Sequence, residues 1–308
     1  MQFSCSLPID GTVGGEFSSI EAIHEMVGAI DRAGLHACFV TDHPAPSRRW
    51  LDHGGHATLD PFVALSIAAT ASKRVRLHTY ILVLAYRNPF VVAKAAASLD
   101  ALSGGRFLMG IGTGYLKPEY AAVGVPFEER GALTDEAIDV LRQAWTGEPV
   151  AYQGRHFAAR DAVVLPMPAN PSGIPIWAGG NSERAIRRAV ERCDGWCPFP
   201  VTGQVSATAR TDELANIAQL REKLAHAREL GMSLGRQRPL EICMGRFEHD
   251  AAMKPDGRPD PARAIDDYAE LAEAGVSWTP MSVPSPSRSA FIDNVLWFGE
   301  EIAAKVNA

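Results

Sequence analysis

Residues 75 to 114 leave this chain few folds to choose from. They read VRLHTYILVL, AYRNP, FVVAKAAASLDALSGG and RFLMGIGTG in succession. The first run is apolar and β-branched almost throughout, which suits a strand buried on both faces of a parallel sheet. Asn88-Pro89 closes it and opens a helix, with Pro near the first helical position. Phe90, Ala93, Ala97 and Leu102 carry the helical period, and Gly104-Gly105 stops it. A second apolar strand over 107–111 ends at Gly112-Thr113-Gly114. The stretch is a β-α-β unit with polar and glycine residues at both C-terminal strand ends, where α/β folds bind their ligands.

The same alternation runs through the rest. A first strand over 3–7 and a glycine-rich loop over 8–15 precede a helix. Ser18 or Ser19 caps that helix, which runs to about Ala33 with Ile20, Ile23, Val27 and Ile30 on one face. A strand over 36–41, a long loop over 44–58 and a helix from Asp60-Pro61 follow. Beyond Gly114 the pattern predicts a short helix over 118–123 and a longer one over 128–145. The rhythm then breaks between 149 and 168, where Val150-Ala151-Tyr152 and Val163-Val164-Leu165 read as the arms of a hairpin. Strands are expected at 174–178, 195–197, 240–247 and 276–279, and helices at 183–192, 207–230, 261–273 and 289–305. Eight strand-helix units predict an α/β fold: a (β/α)8 TIM barrel with a hairpin insertion after the fourth β/α unit, as one domain over 1–308. The alternative is a doubly wound open sheet. The first strand is not followed by G-x-G-x-x-G, which argues against a dinucleotide site there.

Composition narrows the partners. The net charge of −6 gives no basic surface for nucleic acid or an anionic membrane, and no apolar run is long enough to span a bilayer. Five scattered cysteines read as free thiols in a reducing cytoplasm. Cys193 and Cys197 are four apart without a second ligand pair, so no metal is expected. The chain has no G-x-S-x-G, P-loop or H-E-x-x-H, the residues on which hydrolases, kinases and zinc proteases depend.

A barrel would gather the C-terminal strand ends at one mouth. Those ends carry Asp42 and His43, residues 79–86, the run Gly112, Thr113, Gly114 and Tyr115, the run Gly179, Gly180, Asn181 and Ser182, then Pro198, Arg246 and residues 279–282. Gly179 to Ser182 is either a phosphate loop opening a helix or a plain capped turn. Arg155, Arg184, Arg187 and Arg188 read as solvated, with Arg184, just past Ser182, placed to reach a phosphate in the alternative. His43 is either a proton-transfer group or a surface histidine bonded to the carboxylate beside it. His53 and His56 read as lid loop, with no third metal ligand in register.

With these segments in place, the chain resembles the bacterial luciferase-like superfamily, and most closely its actinobacterial branch of oxidoreductases dependent on the deazaflavin coenzyme F420. The matching residues are Ala33-Gly34-Leu35 with Phe39-Val40-Thr41-Asp42-His43; Leu82-Val83-Leu84-Ala85-Tyr86-Arg87-Asn88-Pro89 with Ala93-Lys94; Leu99-Asp100 to Ser103-Gly104-Gly105-Arg106-Phe107; Gly110-Ile111-Gly112-Thr113-Gly114-Tyr115; Glu128 to Arg130; and Pro175-Ile176-Trp177-Ala178-Gly179-Gly180-Asn181-Ser182 with Asp194-Gly195-Trp196. They cover residues 1–200 well and the last third only in rhythm.

The resemblance implies an often dimeric barrel that binds F420, or FMN in the alternative, with the ring in the mouth and the phosphate at Gly179 to Ser182. It implies that His43 faces the ring with Asp42 beside it, and that Asn88, Gly112, Thr113 and Gly114 belong to the cofactor site. It also implies a bulge with a non-proline cis peptide within Thr79, Tyr80 and Ile81. Two departures stand out: Ala85 replaces a usual proline, and Tyr115 occupies the place of the carboxylate acid of the sugar-phosphate dehydrogenases. Tyr115 or His43 would then supply the proton. The expected function is F420-dependent hydride transfer with a small organic substrate. The alternatives are an FMN-dependent monooxygenase served by a separate flavin or F420 reductase, and a cofactor-binding barrel without turnover.

Overall fold

The computed structural model describes residues 1–9, 15–247 and 257–307, so part of the expected 8–15 loop lies outside the described residues. The chain begins with β1 (Gln2–Ser6), α1 (Ile20–Arg32), β2 (Ala37–Val40), a one-turn α2 (Arg48–Leu51), α3 (Pro61–Ala71), β3 (Arg76–Val83), α4 (Pro89–Ser103) and β4 (Phe107–Gly112). Then come α5 (Lys117–Ala122), α6 (Arg130–Ala144), the hairpin strands β5 (Val150–Gln153) and β6 (Ala158–Ala162), β7 (Ile176–Gly179), α7 (Glu183–Arg192) and β8 (Gly195–Cys197). The last third holds α8 (Gly203–Ala209), α9 (Ile217–Ser233), β9 (Glu241–Ile242), α10 (Pro261–Ala274), β10 (Trp278–Met281), α11 (Arg288–Phe298) and, after a π turn, α12 (Ala304–Val306).

Eight strands pair in parallel in the order β10-β1-β2-β3-β4-β7-β8-β9. A parallel bridge between Cys243 and Trp278 brings the two ends of the sheet together. The α/β barrel expected from the alternation is therefore the observed architecture, and β5 and β6 form the inserted hairpin apart from it. The core is aliphatic and aromatic, with Phe3, Leu77, Phe107, Trp177, Trp196 and Trp278 essentially without exposure.

Local chemistry sets most element ends. Ser19, Asp60, Asn88, Ser182, Asn216 and Asp260 each accept a backbone N–H of the helix they open. Gly104, at φ 72°, ends α4 in the left-handed conformation that glycine adopts without a side-chain clash.

Several expectations need correction. Ile20 and Leu102 are exposed, because the helix faces that pack inward pass beside them. The second hairpin arm is β6 rather than 163–165. The Glu136 carboxylate accepts the N–H groups of Arg155, His156 and Phe157 at 3.1, 3.0 and 3.4 Å, and so fixes the turn earlier in the chain. The helix expected over 207–230 is two helices. Arg210 at φ 53° ends α8, and Asn216 caps α9. The strand expected over 240–247 pairs only at 241–243, and the last strand begins at Trp278, two residues later than expected.

Candidate active site

The C-terminal strand ends open into a cleft of about 1380 Å³. Its floor is the bulge in β3. The register against β4 shifts between Thr79 and Leu82, and the Tyr80–Ile81 peptide is cis, at the place the resemblance indicated. Tyr80, Ile81 and Val83 line the cleft, with Gly112 and Gly179 on either side of Ile81. A Cβ on Gly112 would lie 2.9 Å from the Ile81 side chain, so the glycines let β4 and β7 close on the bulge. Gly114, at φ 66°, turns the chain away from β4, and the Tyr120 hydroxyl donates to Thr113 O at 2.5 Å to hold that turn.

His43 leaves β2 at one side of the cleft. Its expected neighbour Asp42 is taken: Arg87 grips that carboxylate at 2.6 and 2.8 Å and the Val83 N–H donates to it at 2.9 Å. The partner of His43 is Glu119, at 3.2 Å from Nδ1. Glu119 is fully buried and also accepts the Tyr86 hydroxyl at 3.0 Å and the Ala45 N–H at 3.2 Å. Burial, and then the charge of Glu119, raise the Tyr86 phenol far above its ordinary pKa, so Tyr86 acts as a hydrogen donor. Tyr115 is raised for the same two reasons.

Around the His43 ring stand Trp50 at 4.5 Å, His56 at 4.9 Å and Tyr115 at 6.4 Å between centroids. His56 bonds Thr41 Oγ1 through Nε2 at 2.9 Å. Its pKa is lowered, first by burial and then by the neighbouring His43. The motif pattern did not single out Glu119 or Trp50. Glu119 carried one signal: a carboxylate on the face of α5 that also holds Leu116 and Tyr120, both buried.

The opposite end of the cleft is the turn into α7. Ser182 lines it and caps α7 by accepting the Ala185 N–H at 3.3 Å. The Gly180 N–H is spent on Cys197 O and the Asn181 N–H on Thr211 Oγ1. The Asn181 side chain is buried and ties Phe199 to Asp212. The donors left for an anion are the Ser182 hydroxyl and the first N–H groups of α7. Arg130, Arg184, Arg188 and Arg210 form the adjoining rim. Asp135 pairs with Arg184 and Arg188, and Glu128 with Arg130 at 3.8 Å, while Arg130 and Arg210 stand 4.0 and 5.0 Å from the centre of the Phe127 ring.

Among the sequence-chosen residues, Asp42, His43, Tyr80, Ile81, Gly112, Thr113, Gly114, Tyr115, Gly179, Gly180 and Ser182 line this one cleft. Three stand elsewhere. Thr79 is buried and donates to Gly110 O, Asn181 is the buried tie described above, and Asn88 caps α4. Arg246 and residues 280–282 line a second cavity of about 460 Å³ that shares Tyr80 with the first. Among the described residues no cluster of His, Cys, Asp and Glu could hold a metal, and no helix is long and apolar enough to cross a membrane. All five cysteines are buried and unpaired.

A family model described as luciferase-like monooxygenase matches residues 1–237. An uncharacterised protein of Mycobacterium tuberculosis is 32% identical over 199 residues, 65% of this chain and 62% of that protein, so the match spans less than two thirds of its length. An F420-dependent glucose-6-phosphate dehydrogenase of Intrasporangium calvum is 27% identical over 321 residues, covering 90% of this chain and 93% of that one. Among solved structures, a monooxygenase of Streptomyces bottropensis superposes with a TM-score of 0.78 at 18% identity, over 99% of both chains. The coenzyme F420-dependent tetrahydromethanopterin reductase of Methanopyrus kandleri superposes with a TM-score of 0.74 at 17% identity, again over 99% of both. At those identities the two structures show a shared fold.

Proposed function

This chain belongs to the luciferase-like monooxygenase family, and from that premise we propose that it is an oxidoreductase that binds F420 in the barrel cleft and exchanges a hydride with a small organic substrate held against His43. The observation that carries the proposal is the alignment of three parts of one cleft: a glycine-flanked bulge as floor, a helix N-terminus at one end and a carboxylate-backed histidine at the other. These residues fit a deazaflavin. Tyr80, Ile81 and Val83, with Gly112 and Gly179, offer a flat support for its ring, and Ser182 with the first turn of α7 offers donors to its phosphate. When bound, the cofactor supplies or accepts the hydride. Arg210 on the rim adds positive charge beyond what a single phosphate needs, which favours the more acidic F420 over FMN.

His43 carries the substrate proton at Nε2, and Tyr115 is a second neutral donor across the cleft. Trp50 on α2 and His56 on the loop between α2 and α3 cover His43 and exclude water from it. Apart from Glu119, the rings around His43 are those of Trp50, His56 and Tyr115, and by the resemblance Tyr115 stands where the sugar-phosphate dehydrogenases carry a carboxylate acid. Both facts favour an uncharged carbonyl or hydroxyl compound over a sugar phosphate. Absorbance and fluorescence titration with F420 and with FMN tests the proposal. Saturable F420 binding is expected. FMN binding alone supports the monooxygenase reading, and binding without hydride exchange supports the carrier reading. A pair of copies, and a reductase as source of reduced cofactor, belong to the same proposal; mass photometry checks the first.

A further inference from the structure

The Glu119 carboxylate has no solvent exposure, yet two hydrogen donors and the Nδ1 of His43 converge on it. The Ala45 N–H can only donate, so Oε1 accepts. Tyr86 keeps its proton, because burial and the charge beside it disfavour the phenolate, so it donates to Oε2. With both oxygens already accepting, the carboxylate serves as acceptor for the His43 nitrogen at 3.2 Å as well. We infer that Glu119 is a positioning residue that fixes His43 in the tautomer with the proton on Nδ1 and turns the lone pair of Nε2 into the cleft.

The packing leaves the ring little freedom. Trp50 lies over His43 at 4.5 Å with 39° between planes, and His56 meets it edge-on at 4.9 Å and 89°. Ala45 follows His43 by two residues, so one carboxylate anchors both the imidazole and the backbone leaving it. In this arrangement the Nε2 lone pair takes a proton from a substrate hydroxyl: the O–H bond breaks, its electron pair stays on oxygen and an N–H bond forms. In the reverse direction the imidazolium Nε2–H returns the proton to a substrate oxygen. The Nδ1 proton stays on the ring, donated to Glu119 Oε2 throughout, and the carboxylate offsets the imidazolium charge. The inference rests on the reading of His43 as the proton-transfer group.

The test uses full-length protein with 15N-labelled histidine and long-range 1H–15N correlation at alkaline pH, with His43 assigned by its loss in His43→Gln. Wild type is expected to show a protonated Nδ1 and an unprotonated Nε2. Glu119→Gln keeps the shape but can donate to Nδ1, and should move the ring toward the opposite tautomer; Glu119→Asp should restore part of the wild-type signal. With whichever of F420 or FMN binds, Glu119→Gln should lower kcat by about 10²-fold with cofactor affinity within about threefold. A wild-type ring protonated on Nε2, or a tautomer unmoved in Glu119→Gln, overturns the inference. The wild-type spectrum decides even where Glu119→Gln does not fold. A protein that holds the Nδ1 tautomer but binds neither cofactor supports the positioning and overturns the function proposed above.

Discussion

At the scale of single residues, two ends of the cleft can be separated by substitution. His43→Ala removes the imidazole that Glu119 touches and should cost about 10²–10⁴-fold in turnover, with F420 affinity changed little. Stopped-flow absorbance on saturated protein measures both, and a kcat left intact would remove His43 from the chemistry. Ser182→Ala takes away a helix cap and a hydroxyl donor together. The cap should cost about 1 kcal/mol of stability. If the phosphate sits there, F420 affinity falls while affinity for the dephosphorylated deazaflavin does not; equal affinities for both variants would leave only a capped turn. Gly180→Val cannot make that separation, since Gly180 at φ 114° strains any side chain placed on it. His43, Tyr115 and Ser182 were legible because they follow strands at motif positions. Glu119 was not, because its partners in space, His43, Ala45 and Tyr86, come from two segments each more than thirty residues away.

At the scale of elements, capping chemistry was read from sequence more reliably than helix length. Asn88 shows the limit of a motif. It belongs to a family signature, yet its side chain holds the Phe90 N–H at the start of α4 and stands outside the cleft. Asn88→Ala should therefore lower stability by about 1 kcal/mol and leave cofactor affinity unchanged; thermal melting and titration on one variant check it, and lost affinity would return Asn88 to the site. The break between α8 and α9 has the opposite lesson. One helix over 207–230 is expected from the sequence, but Thr211 is drawn to the Asn181 N–H at 2.8 Å and Leu214 pairs with Val201, and those contacts set Arg210 on the rim of the cleft.

At the scale of the whole molecule, β9 and β10 complete the sheet that β1 begins, so we propose that residues 1–308 unfold as one unit. Far-ultraviolet ellipticity and tryptophan fluorescence should report one melting midpoint; two separate midpoints would mark an independent C-terminal part. Inside the barrel, burial pushes the His78 imidazole down to about 3, with the Arg76 charge second. Its Nδ1 meets Ser4 Oγ, and its Nε2 is without a hydrogen-bond partner among the described residues. The unfolded chain binds a proton on this histidine below its ordinary pKa of 6.5, whereas the folded one does not until about 3. The stability is thus complete above 6.5 and falls with pH through that window by about 1.4 kcal/mol per unit. His78→Gln should flatten that limb in a series of melts; an unchanged slope would mean that other groups carry it.

What the sequence determined by itself was whatever depends on neighbours along the chain. The alternation of buried strands with capped helices, repeated eight times, specifies a parallel sheet with helices outside. The glycines at 104, 112, 114 and 179 mark where backbone must turn or pass closely. The tertiary structure alone decided which carboxylate serves His43. Asp42 lies next to it in sequence, but the β2 end directs that side chain to Arg87 and Val83, and the buried face of α5 delivers Glu119 instead. Both residues lie just past the end of β2, so the partner of each side chain is set by what packs over it there, Arg87 on Asp42 and Glu119 on His43, and this is a property of the closed barrel.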